Sequence, residues 1–232
     1  MIKFFSHIRR SLIKENNMGK YFKYAIGEVL LVVIGILIAL GINNWNEDKK
    51  SQDNERVLIQ KLQEENQINL ETMQSDVLYR KEIPKLLNDF NLFLAKKDLE
   101  QHKDSIRHFL SNTFRSTSYT FTQSNLINYI NIYNSEFSEL NKELSTLQAY
   151  QNDLQLISEK GIDIKIENFF EALKEDIDFN SLEIISYDTL KSLSFRNNII
   201  IIMSIENEIS FQFNRTIKQS RKVDSLITQR LK

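Results

Sequence analysis

From Asn43 to Lys232 the chain holds one glycine, Gly161, and one proline, Pro84. Sheets and their hairpins draw on both residues for turns, so a long stretch with almost none predicts long helices. The fold class that follows is all-α. Charged residues make up 26% of the chain and hydrophobic residues 41%, the balance of a folded domain rather than of a disordered one. No cysteine is present, which removes disulfides and thiolate metal sites and is compatible with an oxidising compartment.

A second feature fixes location. Between Tyr24 and Ile42 the only charged residue is Glu28, and twelve of the residues are Ile, Leu or Val. As a helix this run is roughly 28 Å long, close to the hydrocarbon thickness of about 30 Å. Its aliphatic residues favour insertion by about 4 to 7 kcal/mol, and Glu28, near one end, reaches headgroups at a cost below the midplane value of about 3 kcal/mol. Tyr21, Phe22 and Tyr24 before the run and Trp45 after it suit interfacial anchors. The lipid bilayer is therefore the first expected partner.

Basic residues set the direction. Lys3, Arg9, Arg10, Lys14, Lys20 and Lys23 precede the run, whereas Lys49, Lys50 and Arg56 follow it closely. That bias predicts a cytoplasmic N-terminus and an extracytoplasmic remainder, periplasmic on the inner membrane of a diderm bacterium. Ala39, Leu40 and Gly41 resemble a signal-peptide cleavage site, but the apolar region is longer than the usual 7–15-residue core of such a signal. An uncleaved signal anchor is the reading adopted. It divides the chain into a basic segment 1–22, a transmembrane helix 23–43, a stalk-like helix 44–82 and a bundle 83–232 completed by the stalk.

The segment Lys20 to Glu47, KYFKYAIGEVLLVVIGILIALGINNWNE, resembles the opening of a family of bacterial membrane proteins, domain of unknown function 6090, found mainly in the Bacteroidota. Thr117 to Tyr133, TSYTFTQSNLINYINIY, is similar to that family's aromatic-threonine loop leading into a helix, with Asn125 where the family more usually has glycine. The resemblance implies a single-pass membrane protein. It supplies no activity, substrate or catalytic residue.

Apolar periodicity predicts the helices. Leu58, Leu62, Asn66, Leu70, Met73 and Val77 continue a helix unbroken to Ile83, and Pro84 suits the first turn of the next, with Leu86, Leu87, Phe90, Phe93 and Leu94 on its stripe. A shorter piece follows through Ile106, Phe109 and Leu110, then a Ser- and Thr-rich loop from Ser111 to Asn125, with a helix starting near Ser124. Phe137, Leu140, Leu144, Leu147, Leu154 and Ile157 form an a/d-like series that misses only Gln151, and Lys160 and Gly161 are its expected stop. Ile166 to Phe179 reads as a shorter helix. Phe195 to Leu231 carries one apolar face along the longest helix, in which Ile199 to Met203 is a buried helical segment rather than a strand. A long first and a long last helix are expected to pair antiparallel in an elongated bundle.

Chemistry-bearing constellations are scarce. His7, His102 and His108 do not share a helical face, no Glu is followed three residues later by His, and Glu171 and Glu175, beside Lys174, read as a solvated face. No phosphate loop or nucleophile elbow is present, and the acidic balance beyond the anchor argues against nucleic acid. No catalytic residue, cofactor or metal site is expected. Three interaction elements remain. Met1 to Lys14 reads as a basic amphipathic helix on an anionic leaflet. Gly27, Gly35 and Ala39 share a face along which a second copy could approach, unless that face simply meets lipid. In the Ser111 to Asn125 loop, Arg115, Tyr119 and Phe121 offer contacts to a ligand or partner, unless Phe114, Tyr119 and Phe121 serve to seat the loop on the core. The leading reading is a non-catalytic, tethered interaction, scaffold or sensory module with an unidentified periplasmic or membrane protein as partner. The alternatives are an anchored hydrolase or transferase built from carboxylates, and a structural coiled-coil oligomer dimerising through anchor or stalk.

Overall fold

The computed structural model describes residues 18–96, 98–133 and 138–232. The expected amphipathic helix of Met1 to Lys14, His7 and Phe137 lie outside the described residues. The chain divides into two compact units, Met1–Arg56 and Val57–Lys232. Its elements are α1 Met18–Gln74, α2 Val77–Leu94, a 3-10 turn Leu99–His102, α3 Lys103–Thr113, α4 Ser124–Ile132 and α5 Glu139–Lys165, followed by a π-helical turn Ile166–Phe170 and α6 Glu171–Leu173. They end with a two-residue hairpin of β1 Ile177–Asp178 and β2 Glu183–Ile184, α7 Asp188–Lys191 and α8 Leu193–Leu231. The fold is all-α apart from that hairpin, in which Ile177 pairs with Ile184 and Asp178 with Glu183.

In the first unit, α1 carries the one stretch among the described residues that is long and apolar enough to cross a membrane, with a mean hydropathy of 2.7 and none of it buried. Every backbone amide and carbonyl of such a segment is satisfied within the helix, which is what hydrocarbon demands.

In the second unit, α8 is the spine. Ser192 caps it by accepting from the Phe195 amide at 3.1 Å. Its main partner is α5, which runs antiparallel: Gln219 donates to the Glu143 carbonyl, Thr216 to that of Tyr150, and Lys165 pairs with Glu206. The end of α1 is also antiparallel to α8, since Gln63 reaches Asp224 and Asn66 reaches the Ser220 carbonyl. The expected pairing of first and last helices is present, but α5 makes the closer approach. Three apolar clusters fill the unit. One gathers Leu87, Phe90, Phe169 and Phe195, a second Ile59, Leu62, Leu147 and Val223, and a third Leu70, Met73, Leu154, Phe213 and Ile217.

Three boundaries differ from the sequence reading, each for a physical reason. The helix expected to run unbroken from Asn43 to Ile83 ends at Gln74, and Ser75 and Asp76 form a turn before α2 begins at Val77. Pro84 therefore lies inside α2, and the carbonyl that it leaves unpaired four residues earlier, that of Arg80, accepts the Ser210 hydroxyl at 3.1 Å instead. Gly161 does not stop α5, which continues to Lys165. A Cβ there would lie 2.7 Å from Ile209 Cδ1 and 3.3 Å from Ile205 Cγ2, so the glycine serves close packing of α5 on α8. The helix expected over Ile166 to Phe179 gives way after Leu173 to the hairpin, whose tip holds Leu182 at a φ of 55°.

Candidate functional site

The residues proposed for the anchor stand on α1. Tyr24, Gly27, Ala39, Gly35 and Trp45 are exposed, Glu28 is half-buried, and Lys49 Nζ lies 5.9 Å from the centre of the Trp45 ring. Among the described residues, nothing beyond the neighbouring helix backbone comes within 4 Å of a Cβ built at Gly27 or Gly35.

The proposed interaction loop, residues 114–123, behaves differently from a free recognition surface. Tyr119 is 2% exposed, its ring 5.4 Å from that of Phe213, and Phe121 packs half-buried on the same cluster. Phe114 lies against Phe170 and Phe179, at 4.7 and 5.6 Å between ring centres. Arg115 alone of the proposed trio is exposed.

Beneath this loop lies a buried ionic network that the sequence reading missed. Glu206 of α8 accepts Arg80 of α2 at one carboxylate oxygen and Lys165 of α5 at the other, the latter at 2.6 Å, and all three side chains are at most 3% exposed. Arg80 Nε donates to the Tyr119 hydroxyl at 2.9 Å, which in turn donates to Asp76 at 3.1 Å. The second Asp76 oxygen is held at 2.7 Å by Arg115, whose guanidinium stacks 4.2 Å over the Tyr79 ring. Tyr79 and Lys165 both donate to the Arg115 carbonyl, at 2.8 and 2.7 Å, and Ser158 accepts the Tyr119 amide at 3.1 Å. Two buried cations thus share one buried carboxylate, Tyr119 links Arg80 to a second, Asp76, and the loop backbone supplies the remaining acceptors. That is the condition for tolerating charge in a core.

The electrostatics follow from this layout. Burial lowers the pKa of Lys165, with Glu206 opposing the shift. Burial also disfavours the cationic form of Arg80, but Glu206 and Tyr119 outweigh it and raise its pKa. Tyr79 is raised by burial and by Glu206, and burial pushes Tyr119 up to about 12 despite Arg80 beside it. A groove of about 520 Å³ opens next to the network, lined by Tyr79, Glu82, Lys85, His108 and Arg115 among others.

A third carboxylate organises the end of the loop. Glu65 of α1 is 5% exposed and receives the Asn125 and Leu126 amides at 2.8 and 3.0 Å together with the Ser124 hydroxyl at 3.1 Å. A carboxylate from another helix thereby caps α4, at the end where free amides and the helix dipole favour negative charge. Asn69 closes the same corner by bonding the Thr122 amide and carbonyl.

The network left a trace in the sequence. Glu206 falls between Ile202 and Ile209 at helical spacing, and Arg80 precedes Ile83 and Leu87 on one stripe. Lys165 follows Ser158 and Gly161 on the buried face of α5 in the same way. A charge at a core position of an amphipathic helix is the signal, and the neighbouring aliphatics mask it. Glu171 and Glu175, read as a solvated face, are both exposed, and Lys174 between them donates to Glu171 at 2.8 Å. Among the described residues no cluster of His, Asp and Glu could hold a metal ion.

The sequence model of a family of unknown function, domain of unknown function 6090, matches residues 28–208, which include every member of the ionic network as well as Glu65. None of the curated proteins and none of the solved structures matches the chain. With more than half of its length matched, the chain belongs to the domain of unknown function 6090 family.

Proposed function

We propose that this chain is a single-pass protein of the inner membrane whose helical unit, Val57–Lys232, faces the periplasm as a non-catalytic binding, scaffold or sensory module. One observation carries the non-catalytic reading. Each oxygen of the two carboxylates in the ionic network is engaged, Asp76 by Arg115 and Tyr119 and Glu206 by Arg80 and Lys165. Carboxylates poised for acid–base or nucleophilic work need an oxygen within reach of substrate. These are committed to holding the loop.

The anchored hydrolase or transferase is the second reading, because Asp76 lies beside the groove that Tyr79 and Arg115 line. The full chain in detergent, incubated with peptidoglycan fragments, phospholipids and peptides, is expected to leave all of them unchanged. Turnover that Asp76→Asn or Glu206→Gln abolishes, in protein that still melts cooperatively, would establish the enzyme instead.

Self-association is assigned to the anchor. Beyond Val57, the positions of α1 that a coiled coil would use, Ile59, Leu62, Leu70 and Met73, are buried within the chain itself. That supports the Gly27, Gly35 and Ala39 face as the place where two copies meet.

A further inference from the structure

On each of three helices buried polar residues separate two apolar clusters, and one residue on each carries an unpartnered atom. Asn66 of α1 lies between Leu62 and Leu70, Gln151 of α5 between Leu147 and Leu154, and Ser220 of α8 between Ile217 and Val223. They are 3%, 1% and 0% exposed. Asn66 Nδ2 donates to the Ser220 carbonyl at 3.0 Å, and Gln151 Oε1 accepts from Gln123 at 3.0 Å. Asn66 Oδ1, Gln151 Nε2 and Ser220 Oγ have no partner among the described residues.

Orphaned polar atoms in a core cost stability, so packing alone does not account for this layer. Register does. Helices that repeat Leu and Ile at every turn slide past one another by a turn with little loss, because one aliphatic replaces another. A polar residue in the seam removes that freedom, since a slip carries its side chain away from its partner and against hydrocarbon. We propose that Asn66, Gln151 and Ser220 form a register lock between α1, α5 and α8, which holds one alignment of the bundle at the expense of its stability.

The chain lacks cysteine, so spin labels at Gln67→Cys and Ser225→Cys, both exposed, report the displacement of α1 along α8 in the full chain in detergent. The expected result for Asn66→Leu/Gln151→Leu/Ser220→Ala is a higher melting temperature together with a second distance, displaced by at least one turn, about 5.4 Å. A single distance identical to that of the unsubstituted chain, or a lower melting temperature, would overturn the lock. Should the triple variant fail to fold, Asn66→Leu alone decides by the same two readouts, since it removes the bond from Asn66 to Ser220 that joins α1 to α8 in this layer. For it too, an unchanged single distance or a lower melting temperature overturns the proposal.

Discussion

Ser210 and Arg80 solve a problem that Pro84 creates. The proline has no amide hydrogen for the Arg80 carbonyl, and the Ser210 hydroxyl, carried by a different helix, donates to that carbonyl at 3.1 Å. A local defect in α2 thereby becomes a tertiary bond to α8. Ser210→Ala is expected to cost about 1 to 2 kcal/mol in denaturant unfolding of the full chain in detergent. In a Pro84→Ala background, where the helix regains its own bond, the same substitution should be nearly neutral. Equal costs in the two backgrounds would show that the bond does not compensate for the proline.

Glu206 neutralises two buried cations at once. Its replacement by Gln leaves Arg80 and Lys165 facing an amide, and the expected loss is about 3 to 5 kcal/mol. The triple replacement Arg80→Met/Lys165→Met/Glu206→Leu should cost less than the single one, because it removes the charges together. Chemical denaturation of both variants checks the order.

The raised phenols give an alkaline signature. Tyr119, held at about 12, keeps its proton where the unfolded chain has already lost it near its ordinary value of about 10. Its contribution is complete below about pH 10 and is lost as pH rises towards 12. Lys165 acts in the opposite sense, because its lowered pKa makes the unfolded chain the better proton binder up to about pH 10.4, so its contribution grows with pH up to that point. Tyr119→Phe should flatten the loss above pH 10, and Lys165→Met should flatten the rise below it, as measured by stability across pH 8 to about 12.

Glu65 should be worth more than an ordinary surface carboxylate. Glu65→Ala strips the cap from α4 and is expected to cost about 1 to 3 kcal/mol. Hydrogen exchange at the Asn125 and Leu126 amides should accelerate well beyond that of amides in α5. Unchanged protection there would remove Glu65 from this role.

Gly161→Ala brings a methyl against Ile209, which is itself 2% exposed and has little room to move. The net cost is expected near 1 kcal/mol, with overpacking outweighing the better helix propensity of alanine. Adding Ile209→Val removes the clashing atom and should restore or exceed the original melting temperature.

The helices were legible because their apolar residues recur at 3 and 4, as in Phe195, Ile199, Ile202, Ile209 and Phe213. Pro84 and Gly161 misled because their usual meaning is local, while here Ser210 and Ile209 on another helix decide what each does. The hairpin after Leu173 was hidden by Phe169, Phe170 and Ile177, which satisfy a helical stripe equally well. The ionic network joins residues up to 126 positions apart, and no spacing rule finds a pair such as Arg80 and Glu206. Only their place on otherwise apolar faces marks them.

In the proposed topology, the apolar α1 segment delivers the helical unit to the outer side of the inner membrane. A single cysteine at Ser225, in a chain that otherwise has none, reads this directly with a membrane-impermeant maleimide. In cells whose outer membrane alone has been made permeable, Ser225→Cys should be labelled while Ser11→Cys is protected. Labelling of Ser11→Cys with protection of Ser225→Cys until the inner membrane is broken would contradict the account.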